Sequence, residues 1–275
     1  MPETISRDSG SAPLRDLSFR TSCTALPRTS RPDRFRSRIG ADAAGGFYPA
    51  PRRYELFLSA RCPQSRRVSV TLDLLGLRDS IVTTLVPPAS PDAADATDTT
   101  ATAALTPLLR AYEATWHGYD GPLTVPALCD RWTGRVVSNH TPDILRDLAG
   151  RLGDAARGPV PVLCPPALAG EIEAVQDLVE EDVMCAAEQA AAAPAAADRA
   201  KSLERLRTAL GLLERRLACG PHVLGERLTA ADVDLWVALT DLAEGVLSPY
   251  DGLTAYVRRL AQHPAFRVPH GHPGR

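Results

Sequence analysis

The run "GDAARGPVPVLCPP", residues 153–166, breaks every hydrophobic period in the chain, and the two sides of that break follow different rules. Before it, runs that read as strands alternate with runs that read as helices. Beyond it, "ALAGEIEAVQDLVEEDVMCAAEQAA" and "AADRAKSLERLRTALGLLERRLA" are rich in alanine and leucine, with charges on the remaining positions and no strand pattern. That order predicts an α/β domain followed by an all-helical one. At 275 residues and 44% hydrophobic content, the chain is long enough for both to bury a core.

Within the first half, Tyr54 to Ala60 alternates roughly between apolar and polar residues, as a strand does. Cys62 and Pro63 then open a helix whose apolar positions Val68, Val70, Leu72, Leu74 and Leu75 run up to Gly76, a C-terminal stop. The β-branched run "SIVTTLV", 80–86, predicts a second strand. Residues 87–102 predict an insertion loop, and "AALTPLLRAYEATW" a short helix around Pro107. "LTVPALCD" and "GRVVSN", joined by "RWT" and Gly134, read as a hairpin. "TPDILRDLAGRL" follows as a helix with Thr141 at its N-cap and Pro142 at its first position. The order is βαβ, an insertion, then ββα.

In the second half, Thr229 and Asp232 of "LTAADVDLW" stand at capping-box spacing, with Leu228 and Val233 placed for a hydrophobic staple. Trp236 reads as a core residue, and the carboxylates of "DLVEEDVM", 177–184, as a solvated face. The predicted organisation is a loosely ordered arm over 1–45, an α/β domain over 46–152, a linker over 153–166, a helical domain over 167–266 and a flexible tail over 267–275. His270 and His272 of that tail read as solvated.

The 31 Lys and Arg residues against 33 Asp and Glu argue against a general attraction to nucleic acid or anionic membranes. No apolar run approaches the roughly 20 residues that span a bilayer. The six cysteines, at 23, 62, 129, 164, 185 and 219, show neither a CxxC pair nor metal-ligand spacing and are too sparse for a disulfide scaffold. A soluble, cytoplasmic protein without a bound metal is expected, with a small molecule as its partner.

The chemistry-bearing candidate is Cys62. Only a thiolate is a nucleophile, and free N–H groups and the helix dipole at a helix N-terminus favour negative charge there. Arg61, Arg66 and Arg67 crowd the same turn and add positive potential. Three residues after Cys62, where a dithiol oxidoreductase carries its resolving cysteine, stands Ser65. The pattern fits a one-cysteine cycle in which an external thiol resolves a mixed disulfide; it also fits a buried cysteine that only fills space. The Val125-Pro126 bond beside the hairpin reads either as a cis bond or as an edge-strand proline. If cis, Val125 can offer its backbone N–H and C=O to a bound thiol peptide. The free amides from Thr141 onward suit a carboxylate, or the helix start is only a cap.

Taken together, the βαβ-ββα order, a cysteine opening the first helix, the "TVP" and an all-helical second domain with an L-T-x-A-D cap resemble the cytosolic glutathione transferases. The resemblance is closest to the Xi class, the glutathionyl-hydroquinone reductases, and runs from about Phe35 to about Phe266. The family's C-P-W-A-H-R is similar to Cys62, Pro63, Gln64, Ser65, Arg66 and Arg67, and "YDGPLTVPALCDRWTGRVVSNHTPDIL" to its second motif. The resemblance implies a thioredoxin-like domain and a helical domain, with Cys62 removing a low-molecular-weight thiol from a quinone-type or other hydrophobic adduct. Glutathione, or another thiol such as mycothiol, is the implied cofactor, held by Val125, Pro126, Arg66, His140 and Thr141. His140 and Thr141 stand where the family has Glu and Ser, and Asp143 is the nearest carboxylate to take the place of that Glu. Homodimerisation is a family expectation. A transferase that adds a thiol to an electrophile, and a noncatalytic binding or assembly module on the same fold, remain as alternatives.

Overall fold

A computed structural model describes residues 35–42, 46–87, 99–153 and 160–267 of the chain. The expectations for residues 1–34, Cys23, the insertion over 88–98, and His270 and His272 lie outside the described residues.

The first domain is built on a four-stranded sheet of order β2-β1-β3-β4. Strands β1 (Tyr54–Leu58) and β2 (Val82–Leu85) are parallel, joined through helix α1 (Pro63–Leu74). Strands β3 (Ala127–Asp130) and β4 (Arg135–Ser138) form an antiparallel hairpin, with β3 also antiparallel to β1. Gly134 takes a φ of +68° in the hairpin turn, a conformation that a side chain disfavours. Helix α2 (Thr99–Thr115) precedes the hairpin and α3 (Thr141–Gly150) follows it. This is the thioredoxin-like arrangement that the sequence predicts.

Strand periodicity divides the core. Tyr54, Leu56 and Leu58 face one side and join the cluster that includes α1, α3 and the second domain. Phe57 faces the other side, where Leu108, Ala111 and Tyr112 of α2 cover the sheet. Each fully buried leucine of this kind contributes roughly 1.5–3 kcal/mol. Helix α2 is longer than the short helix expected around Pro107: it runs through the proline, with Leu105, Leu108, Ala111 and Tyr112 forming one apolar face. The end of α1 follows the sequence reading, with Gly76 at φ +62° and the Leu77 N–H returning to the Leu72 carbonyl at 3.0 Å.

The second domain comprises α4 (Ala169–Leu178), α5 (Ala186–Ala192), α6 (Ala196–Leu217), α7 (Ala230–Asp241) and α8 (Asp251–Leu260). The first long helix expected there is interrupted by a π-helical segment, Val179–Cys185. A π turn keeps the helical apolar pattern locally, so periodicity alone does not reveal it. Its carboxylates are not simply a solvated face: Glu180 pairs with Arg67 at 3.0 Å and Asp182 with Arg205 at 2.6 Å.

The capping box at α7 forms as its spacing predicts, the Thr229 N–H donating to Asp232 at 2.9 Å. Burial alone would raise the Asp232 carboxyl. Contacts from His222, the Val223 and Thr229 N–H groups and Tyr256 outweigh burial and hold it below the usual carboxylate range. Helix α7 packs directly on α1, and Trp236 is buried as expected. No helix among the described residues is long and apolar enough to cross a membrane.

The arm expected to be loose up to residue 45 is tied down from Phe35 to Ile39. Arg36 forms a bridge with Ser138 of β4, and the Ile39 N–H donates to Asp147 of α3 at 3.0 Å.

Candidate functional site

Strand β1 ends in a turn closed by the Cys62 N–H on the Ser59 carbonyl at 3.1 Å. Cys62 is the N-cap of α1, with φ −90° and ψ 117°, and Pro63 opens the helix where a missing N–H removes no intrahelical bond. The Cys62 side chain is partly exposed, and its thiol donates to the Val125 carbonyl at 3.5 Å. The Val125-Pro126 bond is cis, the first of the two readings of that dipeptide. Two segments more than 60 residues apart thus meet at Cys62 Sγ.

The other cysteines differ from it. Cys129 lies on β3 facing α2, and burial pushes its thiol up, with Glu55 and Asp130 adding to the effect. We expect iodoacetamide to label Cys62 in the native protein and Cys129 only after unfolding. Peptide mass spectrometry reads this directly; native-state labelling of Cys129 at a rate like that of Cys62 would contradict it. Ser65 is buried, and its hydroxyl lacks a hydrogen-bond partner among the described residues.

The arginines of the first turn of α1 do not gather around the thiol. Arg66 reaches across to α7, bonding Asp241 at 2.9 Å and the Thr240 hydroxyl. Arg67 is buried between Asp234 at 3.1 Å, Glu180 at 3.0 Å and the Met184 sulfur at 2.9 Å. Arg61 is exposed. The expected cluster of positive charge is therefore largely neutralised by carboxylates of the second domain, because α1 buries this face against α7. Asp234 has no exposed surface to spare: burial raises its carboxyl, and Arg67 and Gln176 only partly offset this.

His140, not Thr141, is the N-cap of α3, so Thr141 and Pro142 each sit one position further into the helix than the sequence reading has them. The His140 imidazole lies 3.0 Å from Asp143. Asp143 is 2% exposed and is held by Arg36 at 2.7 and 3.2 Å and by Arg146 at 3.4 Å. The Arg36 hydrogen bond, ahead of a burial effect of opposite sign and the His140 contact, keeps its carboxyl below the usual range. Asp143, the carboxylate nearest the position of the family's Glu, is thus paired with the arm and with α3. Asp147 is likewise taken by Arg38 and the Ile39 N–H.

Sequence reasoning missed Asn139, Thr124 and Tyr112, which join the Val125 segment to the start of α3: Asn139 Nδ2 donates to Thr124 Oγ1 at 3.0 Å and to the Tyr112 hydroxyl at 3.1 Å. The signal was the position of Asn139 directly before His140 and of Thr124 directly before Val125. A cleft of about 450 Å³ lies at the α7–α8 turn, lined by Leu239, Leu242, Glu244, Asp251 and Arg258. Its α7 wall starts beside Thr240 and Asp241, the partners of Arg66.

Residues 190–266 match the family model "Glutathione S-transferase, C-terminal domain". The chain is 28% identical over 218 residues to a glutathionyl-hydroquinone reductase, YqjG, of Escherichia coli K12, covering 74% of this chain and 66% of that protein. Among solved structures, a glutathione transferase from Gordonia bronchialis superposes with a TM-score of 0.75 at 29% identity, over 85% of this chain and 77% of that one. The glutathione-S-transferase Xi of Phanerochaete chrysosporium gives 0.71 at 26% identity, over 88% of each.

Proposed function

We propose that this chain, a diverged Xi-like glutathione transferase, is a thiol-dependent reductase in which Cys62 removes a low-molecular-weight thiol from an adduct. The observation that carries the reading is the Cys62 thiol at the N-cap of α1, 3.5 Å from the Val125 carbonyl. The relative from Escherichia coli, named a glutathionyl-hydroquinone reductase, supports the reaction class.

The Cys62 thiolate attacks the adduct's sulfur. A disulfide bond forms, the carbon–sulfur bond breaks, and the departing ring carbon takes the electron pair and a proton. A second thiol then attacks the mixed disulfide, leaves as the symmetrical disulfide and returns Cys62 to the thiolate. The thiol cofactor is oxidised and the adduct reduced, with no further reductant. Val125 and Pro126 lie against the thiol's backbone, His140 and Thr141 take its distal end, and Arg66 holds the first turn of α1 against α7 instead of touching the ligand. A reducing, cytoplasmic setting suits a free Cys62.

The cofactor is glutathione or another small thiol such as mycothiol. The occupancy of Asp143 by Arg36, His140 and Arg146 favours the second, which has no γ-glutamyl group to recognise. A carboxylate already paired gains little from an incoming ammonium. With one hydroquinone adduct as substrate, we expect mycothiol to regenerate the enzyme with a KM at least several-fold below that of glutathione. Steady-state kinetics with each thiol tests this, and an equal or lower KM for glutathione would reverse the choice.

A further inference from the structure

The arm residue Phe35 is bonded twice to Asn139, just after β4, once through the Asn139 side chain and once through its backbone. Its N–H donates to Asn139 Oδ1 at 2.8 Å, and its carbonyl accepts from the Asn139 N–H at 3.1 Å. The ring of Phe35 packs edge-on to Tyr112 at 5.4 Å and beside Tyr119 at 5.8 Å. The same Asn139 side chain then donates to Thr124 Oγ1 and the Tyr112 hydroxyl. Tyr112 in turn accepts from the Thr124 N–H at 3.3 Å and shares a hydrogen bond with Thr124 Oγ1 at 2.9 Å. Thr124 is held from both its backbone and its side chain. The next residue, Val125, presents the carbonyl that accepts from the Cys62 thiol.

We propose that Asn139 is a positioning residue for the thiol site: with Phe35 of the arm as its anchor, it fixes Thr124 and thereby the Val125 backbone against Cys62. The proposal deepens the reductase reading and rests on it for the identity of the bound thiol. The amide suits the task because its oxygen accepts from the arm while its NH2 group donates toward Thr124 and Tyr112. An aspartate could not make both donations. The arm is in this view part of the site, since its removal would leave the Asn139 oxygen without the Phe35 N–H.

The test compares Asn139→Ala, Thr124→Val and the double variant with the full-length enzyme. Losing bonds worth about 1.4 kcal/mol raises the KM for the regenerating thiol about tenfold. At saturating adduct the single-turnover rate of attack should change less than about threefold, while the adduct concentration that gives half that rate rises in parallel with the thiol KM, a split that a loss of stability alone does not produce. The double variant should be no worse than the poorer single one, because both cut the same chain of bonds. A second readout needs no turnover. With Val125 released, iodoacetamide should alkylate Cys62 several-fold faster in each variant, because the carbonyl no longer occupies the S–H. If melting falls while thiol KM and alkylation rate stay at wild-type values, Asn139 is only a structural residue and the proposal fails. If the wild type shows no thiol-dependent turnover but the alkylation effect holds, the reductase reading falls and the positioning role stands.

Discussion

Replacing Cys62 by serine is expected to abolish reductase turnover while leaving the melting temperature nearly unchanged. The side chain caps α1 without a cap hydrogen bond, so the helix start owes little to its sulfur. A serine hydroxyl keeps the size of the group and can donate to the Val125 carbonyl as the thiol does. What is lost is the nucleophile: among the described residues the hydrogen-bond partner at this position is the Val125 carbonyl and not a base, and an oxygen cannot form the mixed disulfide. The loss should exceed about a thousandfold, on the scale seen when a covalent nucleophile is deleted. The control is Cys129→Ser, which removes a buried thiol on the α2 side of the sheet and should cost stability instead of turnover. Persistent turnover in Cys62→Ser would mean that the chemistry runs through another group.

The largest expected loss of stability comes from Arg53→Ala. Arg53 is 2% exposed and forms a bidentate pair with Asp130, itself fully buried, at 2.8 and 2.9 Å. The guanidinium is also stacked between Tyr48 at 4.3 Å and Trp132 at 4.6 Å and donates to the Gly46 carbonyl at 3.0 Å. It thereby joins the segment before β1 to the β3–β4 turn. Its removal leaves a buried carboxylate whose remaining donors are the Thr133 hydroxyl and the Trp132 N–H. Breaking a buried pair from one side costs about 3–5 kcal/mol.

The pH dependence has a definite sign. Burial alone would raise the Asp130 carboxyl, but Arg53, Thr133 and the Trp132 N–H hold it below the usual range. Its contribution to stability is therefore complete above an unfolded value of about 3.9 and is lost as the pH falls through the lower folded value. The gap between wild type and Arg53→Ala should be widest near neutrality and narrow as the pH falls below about 4. Urea melts of both proteins across that range measure it. A gap that stays constant or grows in acid would show that Arg53 acts through packing alone.

Local signals carried most of the first domain. The alternation from Tyr54, the proline after Cys62 and the glycines at 76 and 134 act over a few residues, and the strands and α1 follow them. The capping box at Thr229 is local in the same way. Helix α2 begins at Thr99, inside the run expected as loop, because residues 99–102 carry no large apolar residue to mark a helix start; Leu105, Leu108, Ala111 and Tyr112 then bury one face against the sheet. The π segment and the partners of Arg66 and Arg67 could not be read, since both depend on how α1 meets the second domain.

The placement of the candidate residues was legible in the sequence, and their ion-pair partners were less so. Cys62 opens α1 as its spacing predicts, and the bond before Pro126 is cis, one of the two readings of that dipeptide. The arm's role was hidden because Arg36 and Asp143 are 107 residues apart, and no period in the sequence links them. A carboxylate that looks available in a motif can be fully engaged in the fold, and Asp143 is such a case.

The central claim is a covalent intermediate on Cys62, and the direct measurement is to trap it. The enzyme is mixed with one equivalent of a glutathionyl- or mycothiolyl-hydroquinone without free thiol, quenched in acid, and digested for peptide mass spectrometry. The account predicts the thiol as a mixed disulfide on the Cys62 peptide, one hydroquinone released per enzyme, and reversal on adding free thiol. Release of hydroquinone with Cys62 unmodified, or with the thiol on another cysteine, would contradict it.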